Sequence, residues 1–180
     1  MRLARAPVAA LWLASSVSCV EVTAPPVESP DSADARPVAS SLPVQFELPE
    51  LHSGVVRSSE FLGRMTLVVF GATYDTASQA AVPIASAIVR RHQPRINGLL
   101  VVFEPAENRP LAQAFASVLD VPFPVALADA ETLQGRGAFP GLRHVPSFVL
   151  LDREGREVWR RYGLATIEVI EAAVRAHEGR

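Results

Sequence analysis

Residues 65–83 read MTLVVFGATYDTASQAAVP, and this stretch decides the fold. Positions 67–70 form a continuous apolar run, the pattern of a strand buried on both faces. The run breaks at Gly71, and apolar residues then recur at helical spacing at Ala77, Ala80, Ala81, Ile84 and Ile88. A buried strand that feeds directly into a helix sets the turn, residues 72–78, at the strand's carboxyl end and the helix's amino end. Free backbone N–H groups and the helix dipole converge there, which is where α/β folds place their chemistry.

Downstream, the helix is expected from about residue 76 to 91, ended by Pro94, with Pro83 inside it removing one backbone hydrogen bond and kinking it. Residues 98–104 (GLLVVFE) read as a second buried parallel strand. A helix opening at Asn108 or Arg109 is expected to turn Leu111, Phe115 and Val118 toward the core. Residues 123–127 suggest a short strand, and Asp129 caps a brief helix through Leu133. Residues 147–151 and 156–162 read as a hairpin turned by Asp152-Arg153-Glu154-Gly155, its second arm alternating Val158, Arg160 and Tyr162 against Trp159 and Arg161. Thr166 can cap a last amphipathic helix carrying Ile167, Ile170 and Val174.

Upstream, Val44, Phe46 and Leu48 alternate as a strand before a turn at His52-Ser53-Gly54, and Ser58-Ser59-Glu60 suggests a helical turn. The predicted class is α/β, a central mixed sheet flanked by helices, with an N-terminal β-hairpin extension and its domain over residues 44–180. Residues 1–18 read as a signal peptide: Arg2 and Arg5, then an apolar stretch over residues 6–17 that is shorter than the roughly 20 residues needed to span a bilayer. Residues 19–43, rich in Pro, Ser, Ala and acidic side chains and without hydrophobic period, have the composition of a flexible tether.

Formal net charge is -2, and no basic patch or run supports nucleic-acid binding. The one cysteine, Cys19, forbids an intramolecular disulfide and a cysteine-built zinc site. His52, His92, His144 and His177 are too far apart for metal-ligand spacing, so neither metal nor cofactor is expected.

The 65–83 stretch resembles the active-site segment of thioredoxin-like proteins of the TlpA and redoxin type, membrane-tethered thiol–disulfide oxidoreductases with the pattern F-x-A-T-W-C-x-x-C-x-x-x-x-P. Phe70, Ala72, Thr73 and Pro83 stand where that pattern has them, and Tyr74 takes the place of the tryptophan. Asp75 and Ser78 stand where the cysteines belong. Thiol–disulfide exchange needs a thiolate and a resolving partner, and these residues supply neither. The domain likewise holds no cysteine for peroxidase chemistry, although its N-terminal hairpin is similar to that of peroxiredoxin-like domains. A second match, Val145-Pro146-Ser147-Phe148-Val149-Leu150-Leu151-Asp152 followed by Gly155, resembles V-P-T/S-x-x-L-I-D-x-x-G, in which the proline is cis. In that family the backbone before the proline pairs with an extended substrate segment, a contact that needs no thiol. The alternative is that Pro146 only shapes the strand.

Ser16-Val17-Ser18-Cys19 resembles a bacterial lipoprotein signal in which Cys19 receives the lipid. The resemblance therefore implies a periplasm-facing cell-envelope lipoprotein, or a secreted soluble form if cleavage is of the ordinary secretory kind. Three functional readings follow. The first is a redox-inactive binding or scaffold domain that holds a protein or peptide partner in a groove around Tyr74, Asp75, Ser78, Val145 and Pro146. The second is the thiol–disulfide oxidoreductase that the family name implies. The third is a hydrolase-like site in which His144 activates Ser78. Beside them stand simpler roles: Asp75 as a helix N-cap, Ser78 as a small helix residue, Tyr74 as a half-buried aromatic.

Overall fold

Strand β3 (Met65–Gly71) is buried along its whole length and lies in the middle of a five-stranded sheet in the order β5-β4-β3-β6-β7. The computed structural model describes residues 42–178; the expected leader, Cys19 and nearly all of the expected tether lie outside them. Around β3 the elements are β1 (Glu47–Pro49), β2 (Val55–Arg57), α1 (Thr76–His92), β4 (Ile96–Val102), α2 (Arg109–Val118) and β5 (Val125–Leu127). They are followed by α3 (Ala130–Leu133), β6 (Ser147–Leu151), β7 (Glu157–Tyr162) and α4 (Ile167–His177). β3 runs parallel to β4, and β4 to β5, through the crossover helices α1 and α2, whereas β6 and β7 return antiparallel. The sheet is mixed and flanked by helices, and β1 and β2 form the N-terminal hairpin.

Because both faces of the sheet are covered, the central strands carry continuous apolar runs rather than alternating patterns. One face presents Leu67, Val69, Leu100, Val102, Phe148 and Leu150 to α1, α2 and α4. The other presents Val68, Phe70, Leu99, Val101, Val149 and Leu151 to the N-terminal segment, through Phe46, Leu48 and Phe61, and to Phe139 and Leu142 of the loop before β6. Helix α1 runs unbroken through an exposed Pro83, and its core face is Ala81, Val82, Ala85, Ile88 and Val89, with Ala80 turned to solvent.

One expectation about side-chain direction needs correction. On α2 the core side is Ala112 and Phe115, whereas Leu111 and Val118 are 58% and 82% exposed. Its polar side, Arg109, Gln113 and Ser117, would set Leu111, Phe115 and Val118 inward, but Arg109 and Gln113 are themselves half-buried. Its rotation agrees with tertiary bonds instead: Arg109 Nη1 donates to the carbonyls of Glu50 and Leu51 at 2.5 and 2.7 Å. On β7, Trp159, Arg160 and Arg161 are all buried, so the strand is covered on both sides there.

Gly98 on β4 is a packing requirement rather than a flexible point. A Cβ there would sit 2.4 Å from Phe123 Cδ1 and 2.6 Å from Cγ, so the whole ring would have to move. Gly98→Ala is expected to lower stability by about 1–3 kcal/mol, read as a shift in the urea midpoint at constant slope.

Candidate functional site

The carboxyl end of β3 delivers Gly71 and Ala72, both buried, into a turn that carries Thr73, Tyr74 and Asp75 to the amino end of α1. Asp75 has extended backbone geometry and caps the helix: its Oδ2 accepts from Ser78 N at 2.7 Å and from Ser78 Oγ at 2.5 Å. The two positions that would hold thiols therefore close on each other. Ser78 is fully buried, and a Cβ at Gly71 would lie 3.3 Å from the Ser78 Cβ, so Gly71 gives the serine room against the strand.

The Ser78 hydroxyl holds the Asp75 carboxyl below the usual carboxylate range, the backbone N–H groups of Ser78 and Ala77 add to this, and partial burial opposes it. A carboxylate whose folded pKa is depressed contributes stability above its unfolded pKa and loses it as pH falls through the folded value. Asp75→Ala is accordingly expected to cost about 0.5–2 kcal/mol at pH 7, the worth of an N-cap. The difference from the parent should shrink as pH falls below about 4, near the ordinary aspartate value. Urea titrations of both proteins at neutral and acid pH check this.

A second carboxylate fixes the other half of the turn. Glu104, just beyond β4, is 1% exposed. Its Oε1 accepts the Thr73 N–H at 2.5 Å and its Oε2 accepts Asn108 Nδ2 at 2.8 Å. Phe103 N–H donates to Gly71 O at 2.8 Å, extending the β3–β4 register to the turn. Sequence reasoning does not single out Glu104 as a site residue.

The peptide bond Val145–Pro146 is cis, as the resemblance implies. β6 pairs with β3 up to Ser147 opposite Phe70, and Val145 and Pro146 immediately precede that pair, beside the end where the chain leaves β3. Val145 and Pro146 thus reach the same end of the sheet as Tyr74 and Asp75. Tyr74 is 75% exposed there, a rim residue and not a half-buried one. The structure does not bring Ser78 and His144 into a catalytic pair. Ser78 is buried and donates to Asp75, whereas His144 is exposed and stands edge-on to the Tyr162 ring, with centroids 6.2 Å apart.

No protein-family model matches the sequence, and no curated protein matches it at a significant level. Solved structures do match. A DsbF homologue from Corynebacterium diphtheriae superposes with a TM-score of 0.67 at 12% identity, over 82% of this chain and 96% of its own. A thiol:disulfide interchange protein of the thioredoxin family from Chlorobium tepidum gives 0.62 at 20% identity, over 81% and 99% of the two chains. The pneumococcal exposed lipoprotein thioredoxin Etrx1 from Streptococcus pneumoniae gives 0.60 at 21% identity, over 73% and 98%. The fold is thioredoxin-like, shared with disulfide oxidoreductases of the DsbE and DsbF type. Among the described residues no helix is long and apolar enough to cross a membrane.

Proposed function

We propose that this chain is a redox-inactive thioredoxin-like protein of the bacterial cell envelope, lipid-anchored through Cys19, whose domain binds an extended partner segment along the Val145–Pro146 edge. One observation carries the reading. Asp75 and Ser78 are hydrogen-bonded to each other as a helix cap, while Val145–Pro146 is cis, the state in which the resemblance has the backbone before the proline pair with an extended segment. The partner is a protein or peptide of the envelope, and Tyr74 offers it an aromatic surface at the rim. No step of thiol–disulfide exchange can be written for a carboxylate and a hydroxyl, which weighs against the oxidoreductase reading.

Disulfide reduction by the full-length chain carrying Cys19→Ser tests this, beside the same chain with Asp75→Cys and Ser78→Cys. The parent should be silent and the double variant should reduce insulin disulfides, because the helix amino end that stabilises the Asp75 anion also stabilises a thiolate. Turnover by the parent would overturn redox inactivity. Silence of a folded double variant would overturn recognition at the cis-proline edge.

A further inference from the structure

Arg160 and Glu157 lie on β7, outside the residues assigned above, and each is about 95% buried or more. Arg160 Nε and Nη2 donate to Glu157 Oε1 and Oε2, both at 2.6 Å, a bidentate pair. The remaining terminal nitrogen, Nη1, donates to Pro140 O at 2.7 Å and to Tyr162 Oη at 3.3 Å. Tyr162 Oη donates in turn to Gly141 O at 3.4 Å, and the His144 ring stands edge-on to Tyr162 at 89°. These contacts fasten residues 140–144 to β7, and the next residue is Val145.

On the far side of the proline, Gly163 N–H donates to Pro146 O at 2.8 Å, and Ser147 Oγ closes back on His144 O at 2.6 Å. The loop so held contains Gly135, Gly137 and Gly141 at φ of +69°, +74° and +79°. Glycines lose the most conformational freedom on ordering, so a loop rich in them depends on external fixings for its shape.

We propose that Arg160, oriented by Glu157 and relayed through Tyr162, is the positioning residue of the Val145–Pro146 edge, holding residues 140–145 so that an extended peptide can pair with the Val145 backbone. This rests on the reading that the edge receives such a segment. The role belongs to a planar fork: Nε and Nη2 satisfy the carboxylate while Nη1 reaches the loop. A lysine ammonium lacks that fixed geometry and cannot serve both sites in the same arrangement.

The test uses the full-length chain with Cys19→Ser and Asp75→Cys as background, and a short cysteine peptide activated as its pyridyl disulfide as probe. The thiolate introduced at position 75 attacks the peptide sulfur and releases pyridine-2-thione, whose absorbance gives the rate. The same peptide, N-methylated beside its cysteine, cannot make the backbone bond. The ratio of the two rates measures pairing at the edge, and hydrogen exchange at the Val145 amide locates it. Arg160→Lys should lower that ratio about threefold to tenfold, the worth of one hydrogen bond, and Tyr162→Phe should lower it in the same direction. A merely structural role would move the thermal midpoint and leave the ratio alone. A folded Arg160→Lys variant with an unchanged ratio therefore overturns the proposal. Should that variant fail to fold, Tyr162→Phe, which keeps the ion pair, decides in the same way. A background chain that shows no preference and no Val145 protection overturns the recognition reading itself, and this role with it.

Discussion

Truncating Arg160 to alanine is expected to lower the unfolding free energy by about 3–5 kcal/mol, the usual cost of removing one partner of a buried ion pair. Glu157 is only 3% exposed, so the variant would keep a carboxylate out of water without its counter-charge. The Pro140 carbonyl would lose its donor as well. In the parent, burial works against the guanidinium charge, but hydrogen bonds to Glu157 and Tyr162 outweigh it and set the Arg160 pKa above its ordinary value. The double variant Glu157→Leu, Arg160→Met separates the pair's own worth from the penalty of orphaning half of it. Removing both charges should cost less than removing either alone, because buried pairs recover little beyond their desolvation. Urea unfolding of the parent, the two single variants and the double closes this cycle. Additive losses would show that the two side chains do not act as a unit.

The sequence foretells the sheet but not this pair, and the reason is geometric. Apolar runs at 67–70, 98–104 and 147–151 announce buried strands, because burial on both faces removes alternation. Positions three apart on a regular strand point to opposite faces, so Glu157 and Arg160 should not meet. They meet because of an irregularity in the β6–β7 ladder: Trp159 pairs with Leu150, but Glu157 pairs with Leu151, and Val158 is left as an extra residue. That one-residue bulge returns Glu157 to the face of Arg160. Nothing in GREVWRRYG marks the bulge, and strand alternation sets Arg160 and Arg161 on opposite sides without showing that either finds a buried partner.

The site shows the same division. Asp75 before a helix is a local signal, and the structure bears out the cap that capping chemistry predicts. The cis state of Pro146 is legible only through the longer resemblance around it. Glu104 carries no signal, since its partner Thr73 lies 31 residues away and the two meet only once β3 and β4 are paired. Helix α2 departs from expectation for another reason: its polar residues Arg109 and Gln113 turn inward to donate to the Glu50 and Leu51 carbonyls, partners far away in sequence.

Glu104→Ala is expected to cost about 2–4 kcal/mol and to loosen the turn selectively. Hydrogen bonds to a charged group contribute about 1.5–3 kcal/mol each, and this side chain accepts two from inside the protein. The larger part of the loss comes from Thr73, whose N–H loses its side-chain acceptor in the turn. Glu104→Gln keeps the shape but only one acceptor oxygen. Its oxygen can keep Thr73 while its Nε2 donates to the Oδ1 of a flipped Asn108 amide, so only the charge is lost and it should lie between alanine and the parent at about 1–2 kcal/mol. The informative measurement is amide hydrogen exchange, resolved by residue. In Glu104→Ala, Thr73 should exchange faster while Ser78, held by the Asp75 cap, keeps its protection. Unchanged protection at Thr73 would mean that Glu104 is not what holds the turn. Loss at both positions would mean that the two carboxylates act as one unit, and the Asp75 cap would then owe its geometry to Glu104. The distinction bears on binding, because Tyr74 lies between the two fixings and any partner at the rim meets a surface that both of them set.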